Sequence, residues 1–182
     1  MFKVMIDPGH GGIDPGAVSG EVEEANIALA IGIKVCNLLN KWKPGIAILN
    51  RWIDYTLSLD DRVANANTVG VNLFVSIHCN ASSNEAADGV ETYCYKFGGK
   101  GEQAARNIHA ELLAAGLRPD RGVKEGNFQV LRDTTMPAVL VELGFISNDQ
   151  DRAALLDPHQ QDLITSALAM GIINTAKAWG GI

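Results

Sequence analysis

The sequence predicts an α/β domain, with one mostly parallel, twisted sheet of about six strands and helices on both faces. Two observations carry this expectation. Short apolar runs take turns with longer stretches whose hydrophobic residues repeat at helical spacing, the order of successive βα units. Several of the short runs are apolar throughout, as strands buried on both faces must be. A length of 182 residues with 47% hydrophobic content suits a single domain over 1–182. No repeat, linker or low-complexity tract divides it.

Each element has a local cause. Phe2, Val4 and Ile6 alternate in a first strand over 1–6, which Asp7-Pro8-Gly9 should break. A glycine-rich loop follows at 10–16. Ile27, Ile31, Val35, Leu38, Leu39 and Trp42 then fall on one helical face, until Pro44-Gly45 stops the helix. Residues 46–49 read as a buried strand, and Ser58 as the cap of a second helix carrying Leu59, Val63 and Ala66. A third strand is expected over 71–77. In 89–95, Val90, Thr92 and Cys94 alternate with Glu91, Tyr93 and Tyr95, which gives that strand one wetter face. Beyond it come a helix at 102–113, short strands at 128–131 and 138–141, a short helix at 151–156 and a terminal helix over 160–179.

Composition excludes several functions. A net charge of −6, with 15 scattered basic residues, argues against nucleic-acid binding, which requires clustered Lys and Arg. No stretch approaches the ~20 apolar residues of a membrane span. Cys36, Cys79 and Cys94 are odd in number and form no CxxC pair, so neither a disulfide framework nor a thiolate zinc site is expected. All three read as small buried hydrophobes. No secretory leader precedes the first strand. The chain is therefore expected to be exported within a longer precursor, or released as an endolysin or on lysis. A monomer is expected.

In a parallel sheet the carboxyl ends of the strands share one edge, and ligands bind there. Asp7 and His10 follow the first strand, Arg51 follows Leu49, His78 follows Ile77, and Glu142 follows Val141. With Glu21, Glu23 or Glu24 added from the start of the first long helix, two imidazoles and a carboxylate make a possible metal site with a spare acid. Such a set suits zinc, because three protein ligands leave one tetrahedral position open for water. A carboxylate beside that water could take its proton and return it to a leaving amine. The competing reading of Glu142 is a buried salt bridge with Arg51 or Arg132. No GxxxxGK[ST] or GxGxxG is present to cradle a phosphate.

The motifs together resemble the zinc-dependent N-acetylmuramoyl-L-alanine amidases of the type 3 family. The likeness opens at Ile6-Asp7-Pro8-Gly9-His10-Gly11-Gly12 and Asp14-Pro15-Gly16-Ala17, and continues through Glu24-Ala25-Asn26-Ile27-Ala28-Leu29 and Asn50-Arg51 to Arg62 and Asn65. It resumes at Ser76-Ile77-His78-Cys79-Asn80-Ala81, Gly89-Val90-Glu91-Thr92-Tyr93, Arg121-Gly122-Val123 and Phe128-Gln129-Val130-Leu131-Arg132. It ends with the run Pro137-Ala138-Val139-Leu140-Val141-Glu142-Leu143-Gly144-Phe145-Ile146-Ser147-Asn148.

The resemblance implies Zn²⁺ held by His10, Glu24 and His78, with Glu142 as the acid/base. The implied substrate is bacterial peptidoglycan, cut between the lactyl group of N-acetylmuramic acid and the L-alanine of the stem peptide, outside the cell. Asp7 and Glu91 are expected to accept from the imidazole nitrogens that face away from the ion. Cys79 stands where a small residue such as Ala is expected, and strand alternation should turn it into the core. The alternatives are another zinc hydrolase of peptidoglycan or peptides, a carboxypeptidase or deacetylase, and a non-catalytic wall-binding module. Autolysins, phage endolysins and spore-associated enzymes are the settings left open.

Overall fold

The computed structural model describes residues 2–117 and 119–182, so Met1 of the expected first strand lies outside the described residues. Six strands form the main sheet: β1 (Val4–Pro8), β4 (Ala47–Leu49), β5 (Leu73–Asn80), β6 (Val90–Cys94), β7 (Asp120–Glu125) and β8 (Ala138–Phe145). Their order is β4-β1-β5-β8-β6-β7, and every neighbouring pair is parallel except β6 with β8. The expected α/β class and mostly parallel sheet are therefore found.

The two faces of the sheet bury unequal cores. Val4, Ile6, Leu73, Val75, Ile77, Val139 and Val141 turn to one side, into the larger cluster. Helices α1 (Glu24–Trp42), α3 (Lys100–Ala114) and α6 (Pro158–Ala178) close that cluster with Ile31, Val35, Ile108, Leu112, Leu168 and Ile172. On the opposite face Met5, Phe74, Ala138 and Leu140 meet α2 (Leu59–Val69) and α4 (Gln129–Arg132) through Ala66, Val130 and Leu131. That second cover is the smaller of the two. Helix α5 (Asp149–Leu156) joins the larger core through Leu155.

Polar side chains cap α2, where Ser58 was expected, and also α5 and α6. Ser58 Oγ accepts the Asp61 amide at 3.1 Å, and Gly70, at φ 65°, ends α2. Asn148 caps α5, and Asp157 caps α6 ahead of Pro158 at its first turn.

Several elements differ from the sequence reading. Strand β1 runs through Pro8 rather than breaking at Asp7. Strand β4 has already ended at Leu49, so the N–H that Pro8 lacks is not missed on that side. Residues 128–131 were expected as a strand, yet Gln129–Arg132 is a helical turn. A four-residue apolar run carries no period of its own, and here Val130 and Leu131 are buried by docking on the small core rather than by pairing. Strand β7 and the hairpin of β2 (Val18–Ser19) with β3 (Val22–Glu23) were not expected. Leu38 and Trp42 sit 38% and 48% exposed at the end of α1, off the buried face assigned to them.

Phe74 is fully buried at the centre of the smaller core. Phe74→Ala should cost about 3–5 kcal/mol in urea unfolding; a loss under 1 kcal/mol would show that this face is loosely packed.

Candidate metal centre

Three elements deliver the donors. His10 stands two residues beyond β1, Glu24 opens α1 directly after the β2–β3 hairpin, and His78 lies near the end of β5. One ligand atom from each falls within 4.8 Å of the others. Glu24 is the hub. Its Oε1 accepts from His78 Nδ1 at 2.8 Å and from the Cys79 amide at 3.0 Å. Its Oε2 faces His10 Nε2 at 3.1 Å and accepts the Ala17 amide at 2.9 Å. Burial alone would raise its pKa, but the bonds from His10, His78 and Ala17 hold the carboxyl well below the usual range. Glu23, the other glutamate on this segment, instead accepts from Asn26 Nδ2 at 3.1 Å.

The loop carrying His10 is strained and clamped. His10 has φ 57°, a left-handed conformation that costs a non-glycine residue energy unless its surroundings hold it. Two arginines hold it. Arg51, fully buried, donates to Pro8 O at 3.0 Å, Gly9 O at 2.7 Å and Ala25 O at 2.8 Å. Arg62, 3% exposed, donates to Pro8 O at 2.7 Å and His10 O at 2.6 Å, and pairs with Asp7 Oδ1 at 2.7 Å. Gly9 lies flat on the His78 ring, and a Cβ there would overlap it. Gly16, at φ 69°, presses equally close to Glu24 and His10.

His10 Nδ1 meets Asp14 Oδ2 at 2.8 Å, which fixes the ring so that Nε2 points to Glu24. Burial opposes protonation of His10, but Glu24 and Asp14 outweigh it and raise its pKa to about 9. The expected partners are different. Asp7 accepts from Arg62, from Asn50 Nδ2 at 3.0 Å and from Ser76 Oγ at 2.8 Å. Glu91 accepts from Asn80, Tyr93, Arg121 and Lys124. Neither touches an imidazole among the described residues. Sequence reading missed Asp14, although a carboxylate four residues after His10 across a glycine turn was the available signal.

Glu142 is register-paired with His78 on β5 and with Glu91 on β6, so all three project from the smaller-core face in one row. Its Oε2 is sealed from solvent and has no hydrogen-bond partner among the described residues. The salt-bridge reading does not hold: Arg51 serves backbone carbonyls, and Arg132 pairs with Asp133 at 2.8 Å. Burial pushes the Glu142 carboxyl up to about 7, with Glu24 and Glu91 adding to the rise and His78 opposing it.

Beside the two imidazoles opens a cleft of about 370 Å³, walled by Ile13, Leu57, Leu59, Phe128 and Val130. Ile13 and Leu59 are 89% and 52% exposed, so an apolar rim borders the polar centre. Cys79 is buried in the larger core, as alternation required. All three cysteines are free.

Two imidazoles and a carboxylate around one point, beside a buried carboxyl oxygen with nothing to bond, fit a divalent cation whose remaining coordination faces a cleft. The class is thus an α/β domain with an open His–Glu–His donor set at the carboxyl edge of its sheet. Residues 4–174 match the Amidase_3 family, described as N-acetylmuramoyl-L-alanine amidase, and the chain belongs to that family.

The chain is 41% identical over 157 residues to the N-acetylmuramoyl-L-alanine amidase CwlM of Bacillus licheniformis, covering 85% of this chain and 61% of that protein. It is 39% identical over 153 residues to the sporulation-specific N-acetylmuramoyl-L-alanine amidase of Bacillus subtilis, covering 83% and 59%. The chain thus spans about three-fifths of those relatives. The solved catalytic domain of the amidase CwlV from Bacillus (Paenibacillus) polymyxa superposes with a TM-score of 0.92, at 38% identity and full coverage of both chains.

A buried carboxyl with a raised pKa weakens the fold as it ionises. In the metal-free protein, Glu142→Gln should match wild type at pH 4 and become the more stable form as pH rises from 4.5 through 7. The gap should level off above pH 7 at roughly 3–4 kcal/mol. Urea titrations across that range that give no widening gap would mean that Glu142 has a partner in solution.

Proposed function

We propose that residues 1–182 form the catalytic domain of a zinc-dependent N-acetylmuramoyl-L-alanine amidase. It would cleave the amide between the lactyl group of N-acetylmuramic acid and the first alanine of the stem peptide. The observation that carries this reading is the convergence of His10, Glu24 and His78 beside the unpartnered Oε2 of Glu142. In it the three donors hold Zn²⁺, and Glu142 is the acid/base. When bound, the ion supplies Lewis acidity toward the amide carbonyl and acidifies the attacking water.

The side chains of the chain do the rest. Glu142, with a pKa near neutrality, takes a proton from the attacking water and delivers it to the departing alanine nitrogen. It stands beside His78 in the β5–β8 register, one strand spacing from one of the three ligands of this reading. Asp14 orients His10, and the arginine-clamped loop keeps that ring from turning away. The apolar rim of Ile13, Leu59 and Phe128 gives the substrate a drier seat than open solvent. No helix among the described residues is long and apolar enough to cross a membrane. Peptidoglycan as substrate places the action outside the cytoplasm, on the wall.

Glu142→Gln should keep one zinc per chain yet lower turnover roughly 10²–10⁴-fold; a fully active variant would remove Glu142 from the role. His10→Ala and His78→Ala should each lower zinc content measured by metal analysis, and full occupancy in either excludes that residue as a ligand. Chelation should abolish activity and added zinc restore it. Mass spectrometry of digested peptidoglycan should find stem peptides with a free amino-terminal alanine and intact glycan strands. Released D-alanine or acetate instead would assign a carboxypeptidase or a deacetylase.

A further inference from the structure

Glu91 is 3% exposed and lies beside Glu142 in the β6–β8 register. Asn80 Nδ2 and Tyr93 Oη donate to its Oε1 at 2.7 and 2.8 Å. Arg121 Nε donates to Oε2 at 2.9 Å, and Lys124 Nζ donates to the same oxygen. One guanidinium is enough to neutralise one carboxylate. Arg121, Lys124 and Glu91 together sum to one positive charge, with the Glu142 carboxyl the next acid in the row, in a chain whose net charge is −6.

That excess is held in place and faces outward. Arg121 Nη1 is tied to Asp88 O at 3.2 Å, and its guanidinium lies 4.8 Å from the centre of the Phe145 ring. Lys124 Nζ sits 5.9 Å from the Tyr93 ring. Both side chains remain about a third exposed, at 35% and 38%. Strand β7, which carries them, is the edge of the sheet on the side of Glu142 away from His78.

The spacing matches a peptide. Adjacent strands lie roughly 4.8 Å apart, so the cations stand one to two strands beyond Glu142. In a peptide leaving through its alanine nitrogen, the α-carboxyl of the next residue lies roughly 5–7 Å from that nitrogen. We propose that Arg121 and Lys124, locked in position by Glu91, form a carboxylate-binding subsite that recognises a free carboxyl on the residue after alanine in the leaving peptide. The proposal rests on the amidase reading and adds a specificity to it: acidic stems are preferred over stems amidated at that carboxyl.

Two synthetic N-acetylmuramoyl-L-alanyl peptides test it, identical except that the second residue carries a free α-carboxyl in one and a carboxamide in the other. The zinc-loaded wild type should show a KM about tenfold lower for the acid, a preference that shrinks as salt is added. Arg121→Gln and Lys124→Gln should each raise KM for the acid several-fold more than for the amide, and Arg121→Lys should keep part of the preference. Calorimetry should show the released acidic peptide binding more weakly to the same variants. A wild type that treats both substrates alike, or variants that raise both KM values equally, would leave the cations with only a structural role on Glu91 and overturn the subsite. A wild type that cleaves neither would remove the amidase reading, and the subsite with it.

Discussion

The site depends on two arginines that see almost no water. Arg51 and Arg62 lie close enough that each raises the cost of the other's charge, and burial together with Arg62 pulls the Arg51 pKa below its ordinary value. Arg62 pairs directly with a carboxylate, Asp7; Arg51 donates to backbone carbonyls, with Asp54 and Asp7 near enough to favour its charge. A hydrophobic pair of the same volume would cost less to bury. It could not fan several N–H groups across the consecutive carbonyls of Pro8, Gly9 and His10. Lysine could not either, since its three donors lack the planar fork. The clamp is what lets a histidine stay at positive φ with its ring aimed at Glu24.

Stability and chemistry are divided between the two faces of the sheet. The larger core, under α1, α3 and α6, supplies most of the apolar burial that drives folding. The smaller core supports α2 and α4, and the polar row His78, Glu142, Glu91 continues the same face of the sheet toward the strand ends. Glutamates 91 and 142 are neighbours with opposite settings. Four donors keep Glu91 ionised, whereas Glu142 has none on Oε2 and keeps a pKa near neutrality. In the proposed reaction, a carboxyl that exchanges a proton gains from that isolation.

The sequence made legible whatever depended on strand ends and periodicity. His10, His78 and Glu142 each follow an apolar run, and a parallel sheet brings such positions to one edge. The choice of Glu24 over Glu23 was not readable from helical spacing, because a two-residue hairpin sets where α1 begins. Strand β7 escaped because Asp-Arg-Gly-Val-Lys-Glu has no apolar run, and an edge strand needs none. Asp7 and Glu91 were expected as partners of the imidazoles. Their acceptor capacity goes instead to Arg62, and to Arg121 and Lys124, pairings separated by 30 to 55 positions in the chain.

The central claim is that side chains from three separate elements share one ion. X-ray absorption at the zinc edge of the loaded protein tests it directly. The account predicts a shell of nitrogen and oxygen neighbours near 2.0–2.1 Å, with the outer scattering of two imidazoles and no sulfur. A sulfur neighbour near 2.3 Å, or the signature of a single imidazole, would place the ion elsewhere and contradict the account.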